Sequence, residues 1–146
     1  MRPGAVMWIG LRPARRAPMV AVEEAVLDPG AGLAGDRYAG SSGVRQVTVM
    51  AWEHLQAIGS FLGAEVQPAQ LRRNVVVRGV NLHAFGERPF RLGGAVLQAT
   101  GECHPCSRME DTLGPWGYNS VRRHGGITAR VVEGGVVRVG DGVGVA

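Results

Sequence analysis

The sequence predicts a mainly β fold, a β-barrel with a few short helices inserted, on three observations. Glycine is abundant, 23 of 146 residues, and valine-rich runs lie between the glycines. That is the pattern of many short strands and tight turns. Only one stretch carries a clear amphipathic helical period. Strands do not alternate with long helices, so a parallel doubly wound sheet is disfavoured.

The elements follow in order. Residues 5–11 read as a first strand, and 12–18 as a basic, proline-containing turn. Residues 19–27 alternate at Val20, Val22, Val26 and Leu27 and are expected to pair back on the first strand as a hairpin. A long glycine-rich loop covers 28–40; it lacks the lysine and the spacing of a phosphate-binding P-loop. Residues 45–50 form a strand. Trp52, Leu55, Ile58 and Leu62 give 51–62 its helical stripe, with His54 off it and expected on the surface. A short turn or helix opens at Pro68. Val75-Val76-Val77 is a buried strand ended by Arg78-Gly79, and 81–86 is a loop with His83 on the surface. Residues 90–94 turn into the strand 95–100, and 107–112 suit a helical turn or two. Residues 114–125 form a short helix or ordered loop. Strands 127–132 and 136–139 are expected to form a hairpin through Glu133-Gly134-Gly135, with one last strand after Gly140-Asp141-Gly142.

The totals bound the function. One domain spanning 1–146 fits the length, and 45% hydrophobic with 19% charged residues is ordinary for a globular chain. No signal-peptide pattern and no apolar run near the roughly 18 residues of a membrane span are present, so a cytoplasmic protein without membrane contact is expected. Lysine is absent, and all sixteen basic residues are arginine. This chain therefore supplies no amine for a covalent pyridoxal phosphate. The net charge of +4 is modest and scattered, which argues against a nucleic-acid partner.

Both cysteines lie in Gly101-Glu102-Cys103-His104-Pro105-Cys106-Ser107-Arg108-Met109, between a β-prone run and a polar exit segment. A thiol pair at a strand end, beside Arg108 and a helix start, suits an anionic sulfur that binds a soft metal or attacks an electrophile. Three other readings stand beside it. A structural zinc site needs four ligands, and only these two cysteines exist, with His104 poorly placed and His124 as a further donor. A thiol–disulfide oxidoreductase uses Cys-x-x-Cys, but in a β-α-β setting that this chain lacks. Two buried, inert cysteines are the plain alternative.

The blocks Gly35-Asp36-Arg37, Arg45-Gln46-Val47-Thr48, Arg72-Arg73-Asn74 through Leu82, Phe90-Arg91-Leu92-Gly93, Thr100 through Glu110, and Gly125-Gly126-Ile127-Thr128-Ala129-Arg130-Val131 through Asp141 resemble the MOSC domain in its own order. That is the C-terminal domain of molybdenum-cofactor sulfurases, also found as a stand-alone bacterial protein. The resemblance implies a MOSC-type β-barrel. It implies Cys106 as the catalytic thiolate and the protein's ligand to molybdenum, the other sulfurs coming from the molybdopterin dithiolene. It implies either an oxidoreductase acting on small N-hydroxylated compounds or a sulfur or cofactor carrier using a cysteine persulfide. Either would work with a small-molecule cofactor and substrate, and with an electron-transfer or sulfur-donor protein. Asp36, Arg37, Arg45, Arg73 and Asn74 are the candidates to hold the cofactor's phosphate and pterin edges, with Cys103 as a supporting thiol.

Overall fold

The valine-rich runs become strands, and their two faces are dry for different reasons. The computed structural model describes residues 4–37, 46–106 and 108–146. In β5 (Val47–Ala51) and β6 (Val75–Arg78), Val47, Val49, Val75 and Val77 join one hydrophobic cluster, while Met50 and Val76 join a second. A strand covered on both faces reads as a continuous apolar run, which is what these two segments show.

The first cluster fills a barrel. β1 (Gly4–Leu11) pairs with β6 and β11 (Gly142–Val145); β11 pairs with β7 (Phe90–Leu92), and β7 with β8 (Ala95–Glu102). β8 pairs with β9 (Ile127–Glu133), β9 with β5, and β5 with β6, so seven strands close on themselves. All pairs are antiparallel except β5–β6. A parallel pair needs a crossover, here α1 (Trp52–Leu62) and α2 (Pro68–Leu71). α1 stops at Gly63, which takes a left-handed φ of 70°. α2 starts on Pro68 behind a reciprocal cap, Gln67 N–H donating to Gln70 Oε1 at 2.7 Å. The helices cover the outer face of β5 and β6. Leu55, Ile58, Leu71, Met109 and Val121 bury there, with α3 (Arg108–Leu113) and α4 (Gly117–Val121) completing the layer. Each such aliphatic side chain contributes about 1.5–3 kcal/mol when fully buried.

One expected hairpin forms over part of its length and the other is absent. The segment 19–27 divides at Glu23: β2 (Val20–Val22) pairs with β1, but β3 (Glu24–Asp28) joins β4 (Gly32–Leu33) and β10 (Gly135–Arg138) in a separate three-stranded sheet. β11 already holds β1 at Gly4 and Ala5, so the strand leaves that edge and buries Ala25 and Leu27 elsewhere. β10 likewise pairs with β3 and not with β9: β8 holds one edge of β9 as far as Glu133, and on the other β5 holds 127–129 and Gln46 Oε1 accepts the Val131 N–H. Residues 90–92 are a strand and not a turn. A 3-10 turn spans Leu82–Phe85. In α1 the stripe shifts: Leu55 and Ile58 are buried, Trp52 is exposed, and His54 is half-buried where the pattern placed it on the surface.

Candidate functional site

Three groups of polar residues gather around the ends of β1, β6 and β8. The first is a closed internal knot. Arg12, just after β1, donates to Asp36 through Nε at 3.1 Å and Nη2 at 2.9 Å, and through its backbone N–H at 2.8 Å. Its Nη2 also reaches Asn74 Oδ1 at 3.0 Å. The Asn74 amide donates to Asp36 Oδ1 and to the Gly10 carbonyl, both at 3.1 Å. Thr48 closes the set, donating its N–H to Asn74 Oδ1 at 3.1 Å and accepting the Asn74 N–H at 2.9 Å. Asn74 is fully buried and Asp36 nearly so. A buried ion pair shared with Asn74 and Thr48 holds four chain segments in register. Arg37 follows from it, its N–H donating to the Arg12 carbonyl at 2.7 Å, with its side chain exposed.

The second group carries the cysteines. Cys103 is half-buried and Cys106 exposed, and both are free thiols. The Cys103 N–H donates to the Gly126 carbonyl at 2.9 Å, and the Cys106 carbonyl accepts the Met109 N–H at 3.0 Å, which seats Cys106 at the start of α3. Arg73 ties this segment to β6. It is 6% exposed and donates Nε to the Gly125 carbonyl at 2.7 Å, Nη1 to the Leu71 carbonyl at 2.8 Å and Nη2 to the Cys103 carbonyl at 3.3 Å. Burial is the largest influence on Arg73 and pulls it below the usual guanidinium range; the Cys103 and Cys106 thiols oppose this, and Arg12 adds to it. Gly126, at φ 88°, lies so close to β5 that an added Cβ would strike the Val49 carbonyl.

Arg72 goes the other way. It takes a left-handed φ of 55° at the end of α2, and this turn sends consecutive arginines to opposite sides. Arg72 donates to the carbonyls of Ala17 and Ala14, pinning the 12–18 turn, and lines a cleft of about 420 Å³ with Arg16, Arg108, Pro18, Met19 and Thr112. Burial first, then the fields of Arg12, Arg37 and Arg108, hold Arg72 below its usual range, against Asp36. Arg108 lies two residues from Cys106.

The third group is imidazole. His54, His83 and Glu53 line a cleft of about 330 Å³, and a neighbouring cleft of about 250 Å³ runs along Thr100, Gly101 and Glu102.

The structure therefore brings Asp36 and Asn74 together in the knot and sets Arg73 against the cysteine segment. Arg45 lies outside the described residues. Among the described residues no three His, Cys, Asp or Glu side chains stand close enough to hold a metal ion, so a zinc knuckle of Cys103, Cys106 and His124 is not assembled. Sequence reasoning missed Arg12, whose partners lie 24 and 62 residues away and leave no local mark. It also missed Thr48, and Arg72 as the outward arginine, though both stand in blocks it had singled out.

A family model described as MOSC domain matches residues 36–144. Among solved structures, the YuaD protein from Bacillus subtilis superposes with a TM-score of 0.81 at 21% identity, over 96% of this chain and 94% of that one. YiiM from Geobacillus stearothermophilus gives 0.71 at 15% identity, over 99% and 75%. YiiM from Escherichia coli gives 0.71 at 18%, over 97% and 69%. At these identities the likeness speaks for the fold. No curated protein matches the chain. Among the described residues no helix is long and apolar enough to cross a membrane.

Proposed function

The chain belongs to the MOSC domain family, and on that premise we propose that it binds the molybdenum cofactor and reduces small N-hydroxylated compounds, with Cys106 as the protein's ligand to molybdenum. The observation that carries this reading is the exposed Cys106 thiol, two residues in sequence from Arg108, which itself lines a cleft with Arg16 and Arg72. The residues fit such a group. A thiolate is the soft donor that molybdenum takes, and guanidinium groups are forks for a phosphate. Arg72, Arg108 and Arg16 would meet the phosphate end. Arg73 and the Asp36–Asn74 knot, their donors turned inward, would position the wall. Bound there, the cofactor supplies the electron transfer.

The reaction balances as one N–O bond broken and one N–H bond formed. Two electrons and two protons enter, and water leaves. The electrons would come from an electron-transfer protein, the reductant that this reading names.

The test is metal and pterin analysis of protein made in a cell that synthesises the cofactor. Cys106→Ser is expected to lose molybdenum, and Cys103→Ser to keep most of it. If the cysteine variants show the reverse, the assignment of ligand is wrong. The exposure of Cys106 also favours a second reading, a sulfur carrier. A persulfide on Cys106 in protein free of molybdenum and pterin would replace the first reading with that one.

A further inference from the structure

Three of the chain's four histidines, at positions 54, 83 and 124, meet in one place. His54 lies in the first turn of α1, His83 in the 3-10 turn after β6, and His124 in the loop between α4 and β9. The His54 ring packs edge-on to His124 with centroids 5.1 Å apart, and stacks with His83 at 6.0 Å. Nδ1 of His54 is buried with no hydrogen-bond partner, whereas Nδ1 of His124 is held at 3.0 Å from the Arg122 carbonyl. A neutral imidazole tolerates that setting. A protonated one puts charge into a half-buried pocket with two further imidazoles beside it. No three ligating side chains among the described residues converge as a metal cage would require, so the cluster's accessible chemistry is protonation.

The loop carrying His124 also holds the cysteine segment. The next residue, Gly125, gives its carbonyl to Arg73 at 2.7 Å, and Gly126 gives its carbonyl to the Cys103 N–H at 2.9 Å. Both glycines are packed so tightly that an added Cβ would strike backbone: the Cys103 carbonyl at Gly125 and the Val49 carbonyl at Gly126. A displacement of His124 therefore reaches Cys103 through main-chain contacts with little slack.

We infer that the histidine trio is a proton-sensitive latch on the cysteine segment, closed while the imidazoles are neutral and loosened when they gain charge. The inference deepens the proposed function, because it rests on that segment being the working one. Charged and titratable groups stand on each of the packed elements. α1 brings Glu53, already engaged by the Gly79 N–H at 2.8 Å; β6 and its turn bring Arg78 and His83; the loop after α4 brings Arg122, Arg123 and His124. Burial first, then His124, then His83 hold His54 below the ordinary imidazole value of 6.5, against Glu53. The fold thus prefers the neutral ring. Its contribution to stability is fully present above that value and is lost as pH falls below it toward the lowered folded value.

The test is amide and imidazole NMR on the cofactor-free protein, in a His104→Gln background because His104 adjoins Cys103 and reports its own proton. The amide signals of Cys103 and Gly126 are expected to follow the His54 midpoint, below that of a free imidazole. Protection of the Cys103 N–H from exchange, corrected for intrinsic rate, is expected to fall several-fold over the same range. His54→Gln on this background should flatten both responses, and His124→Gln serves if His54→Gln does not fold. A Cys103 response that survives the substitution overturns the latch, as does a His54 titration to which Cys103 is indifferent. The measurement uses no cofactor, so its outcome is independent of whether molybdenum binds.

Discussion

Arg72 and Arg73 are neighbours in sequence and belong to two regions with opposite designs. Arg73 and the Arg12–Asp36–Asn74 knot turn their polar atoms inward, onto main-chain carbonyls and one another. Arg72 also donates to the Ala14 and Ala17 carbonyls, but with Arg16 and Arg108 it lines an open cleft. The difference teaches that an arginine's type and place in a motif do not say whether it serves folding or binding. Its surroundings do. Both guanidinium groups fix backbone through carbonyls, but the buried one faces only protein, while the half-buried one stands among other cations at a cleft where its charge reaches a ligand.

Substitutions can sharpen or break this contrast. The largest effect is expected from Asp36→Ala, which takes from the buried Arg12 guanidinium its bidentate carboxylate. Removing one partner of a buried pair costs about 3–5 kcal/mol, to be read from urea unfolding. A loss under ~1 kcal/mol would mean that the knot is not a structural unit. Arg73→Gln comes next, with a stability loss of about 2–3 kcal/mol for charged hydrogen bonds to buried carbonyls. Its loss should come with faster exchange at the Cys103 N–H. Arg72→Gln should cost least in stability, about 1 kcal/mol, and most in anion affinity, with inorganic phosphate as the probe in a calorimetric titration. If Arg73→Gln weakens phosphate binding more than Arg72→Gln at equal stability, the inward and outward assignments change places.

How much of this was legible follows from where the information lies. The barrel strands were readable because their patterns are local: Val75-Val76-Val77 announces a doubly covered strand, and 51–62 a helix. The cysteine segment and the Arg72-Arg73-Asn74 block were readable as motifs. What failed was anything decided by competition between distant segments. The hairpin expected over 127–139 is a reasonable local guess, overruled because β10 takes the distant β3 as its partner. Arg12 carries no local sign of the carboxylate 24 residues on. The split between Arg72 and Arg73 depends on one left-handed residue, a conformation uncommon outside glycine and asparagine and therefore invisible in the pattern. His54 looked like surface because its neighbours come from two other elements.

The barrel's seam has a consequence for the order of events during synthesis. β1 precedes its partners in the chain: one edge waits for β6 and another stretch of the other edge for β11, which is matched to it at Gly4 with Val143 and Ala5 with Gly142. Until the ribosome has released those late residues, the emerging chain carries exposed strand edges on β1 and β7, the two neighbours that β11 joins. Such edges are templates for pairing with another chain, and closure over so long a sequence separation is slow. For this protein the hazardous interval lasts until β11 is available to pair, and anything that shields nascent β edges until then should raise the yield of closed barrel.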